Sequence, residues 1–122
     1  MTEMREVIDL CLSLGSVYED YPFEEGNWAV MRHIGNKKGF AFVVRREGHV
    51  WVNVKHRPED GIIWRELYES VVPAYHMNKA HWSSIILDGS LKDSTIRKML
   101  EDSYGLTRPK MRKAARSCGD GK

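Results

Sequence analysis

Histidines are the side chains best suited to acid–base chemistry or metal binding at neutral pH. The 122 residues contain five of them. They are His33, His49, His56, His76 and His81. Only His76 and His81 lie close together in sequence, and no carboxylate or thiolate shares their spacing. The pattern therefore predicts no metal site and indicates that these histidines serve as hydrogen-bonding residues.

The sequence also lacks the motifs of nucleotide binding and covalent catalysis. The two cysteines, Cys11 and Cys118, do not make a disulfide framework or the closely spaced pair of a metal knuckle. Cys11 lies on the apolar stripe of a helix, which favours a buried, inert thiol. The glycines between Gly35 and Gly39 fit a hairpin turn, not a phosphate loop, and there is no nucleophile elbow. We therefore expect neither enzyme activity nor a cofactor.

Length and composition fit one small domain. The chain is 42% hydrophobic and 30% charged, which is enough apolar material for a core. No apolar run approaches the roughly 20 residues that cross a bilayer, and residues 1–6 do not resemble a secretory signal. We expect a cytoplasmic monomer without membrane attachment, with a single domain over residues 1–106 and a basic, flexible tail over 107–122.

Charge is unevenly distributed along the chain. Residues 1–27 contain seven acidic residues and one cation, whereas residues 28–58 contain seven cations and one acidic residue. Residues 108–122 contain six cations and one acidic residue. A polyanion would therefore have to meet a local patch in residues 28–58, with help from the tail. The alternative is that a balanced surface carries both signs without any binding role.

Periodicity predicts an α+β order of elements. The predicted helices are residues 3–14 with Thr2 as cap, 62–70 with Ile63 and Leu67 facing the core, and 92–104. The predicted strands are residues 28–34, 40–45, 49–55 and 82–87. Residues 16–26 are interpreted as an acidic connector, and residues 57–61 as a break. Glycine-bearing turns of this length between the first three strands indicate an antiparallel meander.

One strand and one loop offer binding residues. Val50, Val52 and Val54 alternate with polar residues, so Trp51 is expected on the opposite face, where it could stack a base or anchor a partner. A Trp covered by a neighbouring segment is the other interpretation. The loop over residues 74–81 is rich in polar side chains, which either bind a ligand or close a turn.

The string Pro73-Ala74-Tyr75-His76-Met77-Asn78-Lys79-Ala80-His81-Trp82 resembles a motif of the MmcQ/YjbR family of small bacterial proteins. Four further strings occupy matching places, namely Leu87-Asp88-Gly89-Ser90, Asp102-Ser103-Tyr104, Tyr21-Pro22-Phe23 and Gly39-Phe40-Ala41. The likeness therefore covers about residues 3–105. The resemblance implies a CyaY-like fold of two layers, a twisted antiparallel sheet with helices packed on one face. It also implies DNA binding through a double-wing motif of two β-hairpins.

The leading hypothesis is thus DNA binding by basic hairpins. The expected nucleic-acid-binding residues are Lys37, Lys38, Arg45, Arg46, Lys55 and Lys79. A second hypothesis is a protein- or small-ligand-binding module that uses Trp51, His76, Asn78 and His81. A third, suggested by the shared fold with frataxin, is metal binding by the acidic N-terminal part. The first hypothesis requires the two cation pairs, Lys37/Lys38 and Arg45/Arg46, to converge on one surface.

Overall fold

The computed structural model describes residues 1–24, 27–74 and 77–110. Within these ranges, three helices and six strands follow one another. They are α1 (Met4–Ser13), β1 (Val17–Asp20), β2 (Ala29–His33), β3 (Gly39–Arg46), β4 (His49–Lys55), α2 (Pro58–Leu67), β5 (Val71–Pro73), β6 (Trp82–Leu87) and α3 (Asp93–Thr107). All neighbouring strands are antiparallel, in the order β1-β2-β3-β4-β6-β5. The predicted α+β architecture is confirmed.

The helices share one apolar core with one face of the sheet. Residues of α1 and α3 pack with every second residue of the central strands. The buried members include Val7, Cys11, Met31, Val43, Val52, Ile85, Ile96 and Leu100. Burial raises the pKa of the Cys11 thiol to about 12, so this cysteine stays protonated at neutral pH. The prediction that Val50, Val52 and Val54 face the core is confirmed, because all three are fully buried.

Several local predictions were wrong. The acidic connector contains β1, whose Glu19 and Asp20 pair in register with Met31 and Val30 of β2. The short strand β5 was also missed. Glu3, not Thr2, caps α1, because Glu3 and Glu6 form a reciprocal capping box.

The second helix begins earlier than predicted. Pro58 does not break the chain there but occupies the first turn of α2, where its missing N–H costs nothing. Ile63 and Leu67 are 51% and 65% exposed instead of facing the core. The buried side of α2 is formed at Gly61, which lies directly against the ring of His56.

Candidate nucleic-acid interface

The two cation pairs that were expected to converge lie at opposite ends of β3. Lys37 and Lys38 immediately precede the strand, whereas Arg45 and Arg46 are its last two residues. Seven residue steps at about 3.3 Å each separate the two ends by roughly 23 Å. Successive turns of an antiparallel meander alternate between the ends of the sheet, so two consecutive hairpins cannot form one surface.

Lys55 and Lys79 lie at the same end of the sheet as Lys38. Lys55 is the last residue of β4, and its neighbour Val54 pairs with Ala41 near the start of β3. Lys79 precedes the first residue of β6, Trp82, which pairs directly with Lys55. Four of the six predicted nucleic-acid-binding residues therefore share one end of the sheet.

The end of α3 adds two further cations to this surface. The side-chain amide of Asn36 donates to the carbonyl of Thr107 at 2.9 Å, and Pro109 packs against Gly35. A groove of about 560 Å³ lies between the β2–β3 turn and the chain that leaves α3. It is lined by Asn36, Lys38, Gly105, Leu106, Arg108, Pro109 and Lys110. We call Lys37, Lys38, Lys55, Lys79, Arg108 and Lys110 together the basic end.

The side chains of the basic end have no charge partners within residues 1–24, 27–74 and 77–110. None of the six forms an ion pair or a side-chain hydrogen bond there, and all except the half-buried Lys55 are exposed. Arg45, by contrast, lies 3.5 Å from Glu3. The guanidinium of Arg46 lies 4.6 Å from the centre of the Trp51 ring. The uncompensated positive charge is thus concentrated at the basic end.

Local hydrogen bonds fix the β2–β3 turn. The side-chain oxygen of Asn36 accepts from the backbone N–H of Lys38, and the Arg32 guanidinium donates to the carbonyl of Lys37. Arg32 is itself held by Asp20 at 2.7 Å. Lys37 has a φ of 64°, a left-handed conformation that shortens the turn. Both ammonium groups therefore extend from a turn whose backbone is tied on two sides.

The polar loop before β6 is built around Asn78. Its side-chain oxygen accepts from the backbone N–H of Ala80, and its carbonyl accepts from the backbone N–H groups of His81 and Trp82. Asn78 thus closes a turn that presents Lys79 and His81 to solvent. His76, the remaining loop residue of the second hypothesis, lies outside the described residues.

Trp51 lies on the face of the sheet opposite the helices, as predicted. Its indole N–H donates to the carbonyl of Arg46 at 3.0 Å, and the Arg46 side chain stacks over its ring. Next to it Asn53 is buried, accepts from Ser84 and donates to the sulfur of Met77. The Trp51 ring is thus covered by a neighbouring side chain, which matches the structural interpretation of this residue.

A buried polar cluster that sequence reasoning missed joins β4, α2 and β6 next to the basic end. The Nδ1 of His56 donates to the carbonyl of Arg57, and its Nε2 lies 2.8 Å from the hydroxyl of Ser83. Arg65 donates to the same hydroxyl at 2.7 Å. Because the imidazole is 1% exposed, desolvation lowers the pKa of His56, and the Arg65 charge acts in the same direction.

His33 holds the end of α3 in a similar way. Its Nε2 lies 2.9 Å from the hydroxyl of Thr107, which donates to the carbonyl of Ser103. The rings of Phe40 and Tyr104 enclose the imidazole, and desolvation lowers the pKa of His33. The helix extends to the buried Thr107, three residues past its predicted end, and this bond fixes the start of Arg108–Lys110.

Several acidic side chains of the N-terminal part form ion pairs within the protein. Arg5 bonds both Asp9 and Glu19 at 2.9 Å, and this contact lowers the pKa of Glu19. Asp20 is paired with Arg32. Across the described ranges, no group of three or more His, Cys, Asp or Glu side chains is arranged to hold a metal ion. The same part of the chain contains no helix long and apolar enough to cross a membrane.

Comparison with known proteins shows two relatives that are similar to this chain in sequence. The chain is 43% identical to YjbR of Escherichia coli K12 over 65 residues, which cover 53% of this chain and 55% of that protein. It is 34% identical to YyaQ of Bacillus subtilis over 100 residues, which cover 73% of this chain and 84% of YyaQ. The chain thus spans only about half the length of the E. coli relative.

Two solved structures are similar to this protein in fold. A crystal structure of a Pseudomonas syringae protein superposes with a TM-score of 0.77 at 30% identity, over 87% of this chain and 99% of that one. A Deinococcus radiodurans protein with the DUF419 domain superposes with a TM-score of 0.78 at 26% identity, over 87% of this chain and 78% of that one. The family model YjbR matches residues 12–106. The chain belongs to the YjbR family.

Proposed function

We propose that this protein binds DNA through the basic end. The observation that carries the proposal is that Lys38, Arg108 and Lys110 line one groove, with Lys37, Lys55 and Lys79 at the same end of the sheet. Six cations on one end of a small sheet create a local positive potential that the formal net charge of +2 does not reveal. The proposed role is binding without catalysis, in the cytoplasm.

Phosphate contacts by these side chains would gain free energy by releasing counterions from DNA. Each neutralised phosphate contributes about −0.9 to the slope of log affinity against log salt concentration. Engagement of most of the basic end therefore gives a slope of roughly −3 to −5. Arg45 and Arg46 lie at the other end of β3 and take no part in this contact, which differs from the two-hairpin hypothesis.

Fluorescence anisotropy with a labelled duplex at two salt concentrations tests the proposal. The double variant Lys37→Ala/Lys38→Ala removes two charges from the basic end and is expected to reduce the salt slope by about two. The matched control is Arg45→Ala/Lys92→Ala, which removes two charges from the opposite end of the sheet. Absence of binding at low salt, or equal loss in the two double variants, would reject DNA binding at this surface.

A further inference from the structure

We infer that the basic end binds the phosphate backbone of duplex DNA without reading its base sequence. This inference rests on the proposed function and specifies how the DNA is recognised. Base readout needs side chains that hydrogen-bond to base edges inside a groove, whereas phosphate binding needs only exposed cations. The basic end supplies exposed cations, and the two asparagines beside it are engaged in hydrogen bonds within the protein.

The side-chain amides of the two asparagines beside the basic end already hold turns of the protein. Bidentate recognition of adenine needs the oxygen and the nitrogen of one amide to be available together. The amide of Asn36 donates to Thr107 and accepts from Lys38. The oxygen of Asn78 accepts from Ala80. Reading a base with either amide would break a turn that positions a lysine.

The β2–β3 turn cannot enter a groove as a projecting wing. Strand β2 ends at His33 and strand β3 begins at Gly39, so five residues connect them. Within it, His33 accepts from the backbone N–H of Lys37 and donates its own N–H to Lys38. The contact of Gly35 with Pro109 holds the turn against α3. The exposed side chains of Lys37 and Lys38 are the charged groups that this turn presents to solvent, beside the exposed Ile34.

Helices α2 and α3 are also unavailable for insertion into a DNA groove. One side of α3 is buried against the sheet, and its end is fixed by the contact between Thr107 and His33. The exposed side of α2 carries the apolar Ile62 and Ile63 together with Glu66, a surface that DNA would not favour. Both helices therefore serve as scaffold for the basic end.

Arg108 is the one residue of the basic end with a planar fork that can bond two atoms of a guanine. It follows the last residue of α3 and lines the groove beside Lys110. Substitution by lysine keeps the charge and removes the fork. A phosphate contact tolerates this exchange, whereas a bidentate guanine contact does not.

The test compares three duplexes of equal length and unrelated sequence in anisotropy titrations at low salt, with wild type, Arg108→Lys and Arg108→Ala. Backbone binding predicts affinities within about threefold across the duplexes, no loss for Arg108→Lys, and weaker, less salt-dependent binding for Arg108→Ala. A preference of about tenfold or more for one duplex, removed by Arg108→Lys, would overturn the inference while leaving DNA binding intact. If none of the three duplexes binds, the proposed function itself fails.

Discussion

The amide of Asn36 and the carbonyl of Thr107, 71 positions apart in sequence, are joined by a 2.9 Å hydrogen bond. This contact ties the β2–β3 turn to the last residue of α3. It brings the lysines of the turn next to Arg108 and Lys110. The geometry of the hairpin alone would not place these cations together, and they are not close in sequence. The basic end is therefore a product of tertiary structure.

Replacement of Asn36 by Ala should weaken both the fold and the surface. The Thr107 carbonyl loses a donor and the Lys38 N–H loses an acceptor, so we expect the free energy of unfolding to fall by about 1–2 kcal/mol. Urea unfolding followed by Trp fluorescence measures this change. The DNA affinity should fall as well, although no charge is removed. Unchanged stability would show that this bond does not hold the turn.

Alternation and turn residues were sufficient to predict most of the sheet. Strands β4 and β6 have their predicted bounds, because both are runs of mostly buried residues between clear breaks in the sequence. Strand β1 could not be predicted, since Glu19 and Asp20 disfavour a strand and are stabilised by Arg5 and Arg32 from other elements. Its stability comes from partners distant in sequence.

The site was only partly predictable for a similar reason. The cationic character of residues 28–58 was visible in the sequence, and the antiparallel order already implied that Lys38 and Arg46 lie at opposite ends of β3. The contribution of Lys55 and Lys79 followed from the pairing of β4 with β6, which no local pattern specifies. The placement of Arg108 depended on Asn36 and His33, whose partners are visible only in the folded chain.

Replacement by alanine should have opposite effects on the free energy of unfolding at two helical glycines. A Cβ on Gly61 would collide with Cε1 of the His56 ring, so Gly61→Ala must displace α2 or the buried imidazole. We expect a loss of about 1–3 kcal/mol in the free energy of unfolding. Gly105 in α3 has open space at the same position, so Gly105→Ala should gain about 0.5–1 kcal/mol.

Thermal and urea unfolding of both glycine variants provide the measurement, with each serving as the control for the other. A Gly61→Ala protein as stable as wild type would mean that α2 can move away from His56 without cost. That result would contradict the tight contact between this helix and the polar cluster.

Stability should decrease as the pH falls from about 6.5 toward 5. Burial lowers the pKa of His56 and of His33, so the unfolded chain binds protons in this range that the folded chain does not. The free energy of unfolding then declines below the unfolded pKa and levels off below the folded pKa values. Carboxylates with lowered pKa values, such as Glu6 and Glu19, act only at still lower pH.

The His56→Gln variant tests the assignment of this pH dependence. Its free energy of unfolding, measured by urea titration between pH 5 and 7.5, should vary less steeply with pH than that of wild type, whatever its absolute stability. His81→Gln is the control, because His81 is exposed. A slope that is the same in wild type and His56→Gln would show that His56 does not control stability in this range.

Removal of Arg108 and Lys110 should weaken DNA binding as much as removal of Lys37 and Lys38. Arg108, Lys110 and Lys38 line the groove and Lys37 precedes Lys38 in the turn, so each substitution pair is expected to reduce the salt slope by about two. Arg97→Ala/Lys98→Ala on the same helix is the control, since both side chains are paired, with Glu101 and Asp102, away from the groove. If Arg108→Ala/Lys110→Ala binds like wild type while Lys37→Ala/Lys38→Ala does not, the turn alone contacts the phosphates and the groove has no role. Equal losses in both groove variants, with none in the control, would show that the two segments contact the DNA together, although they are distant in sequence and adjacent only in the folded protein.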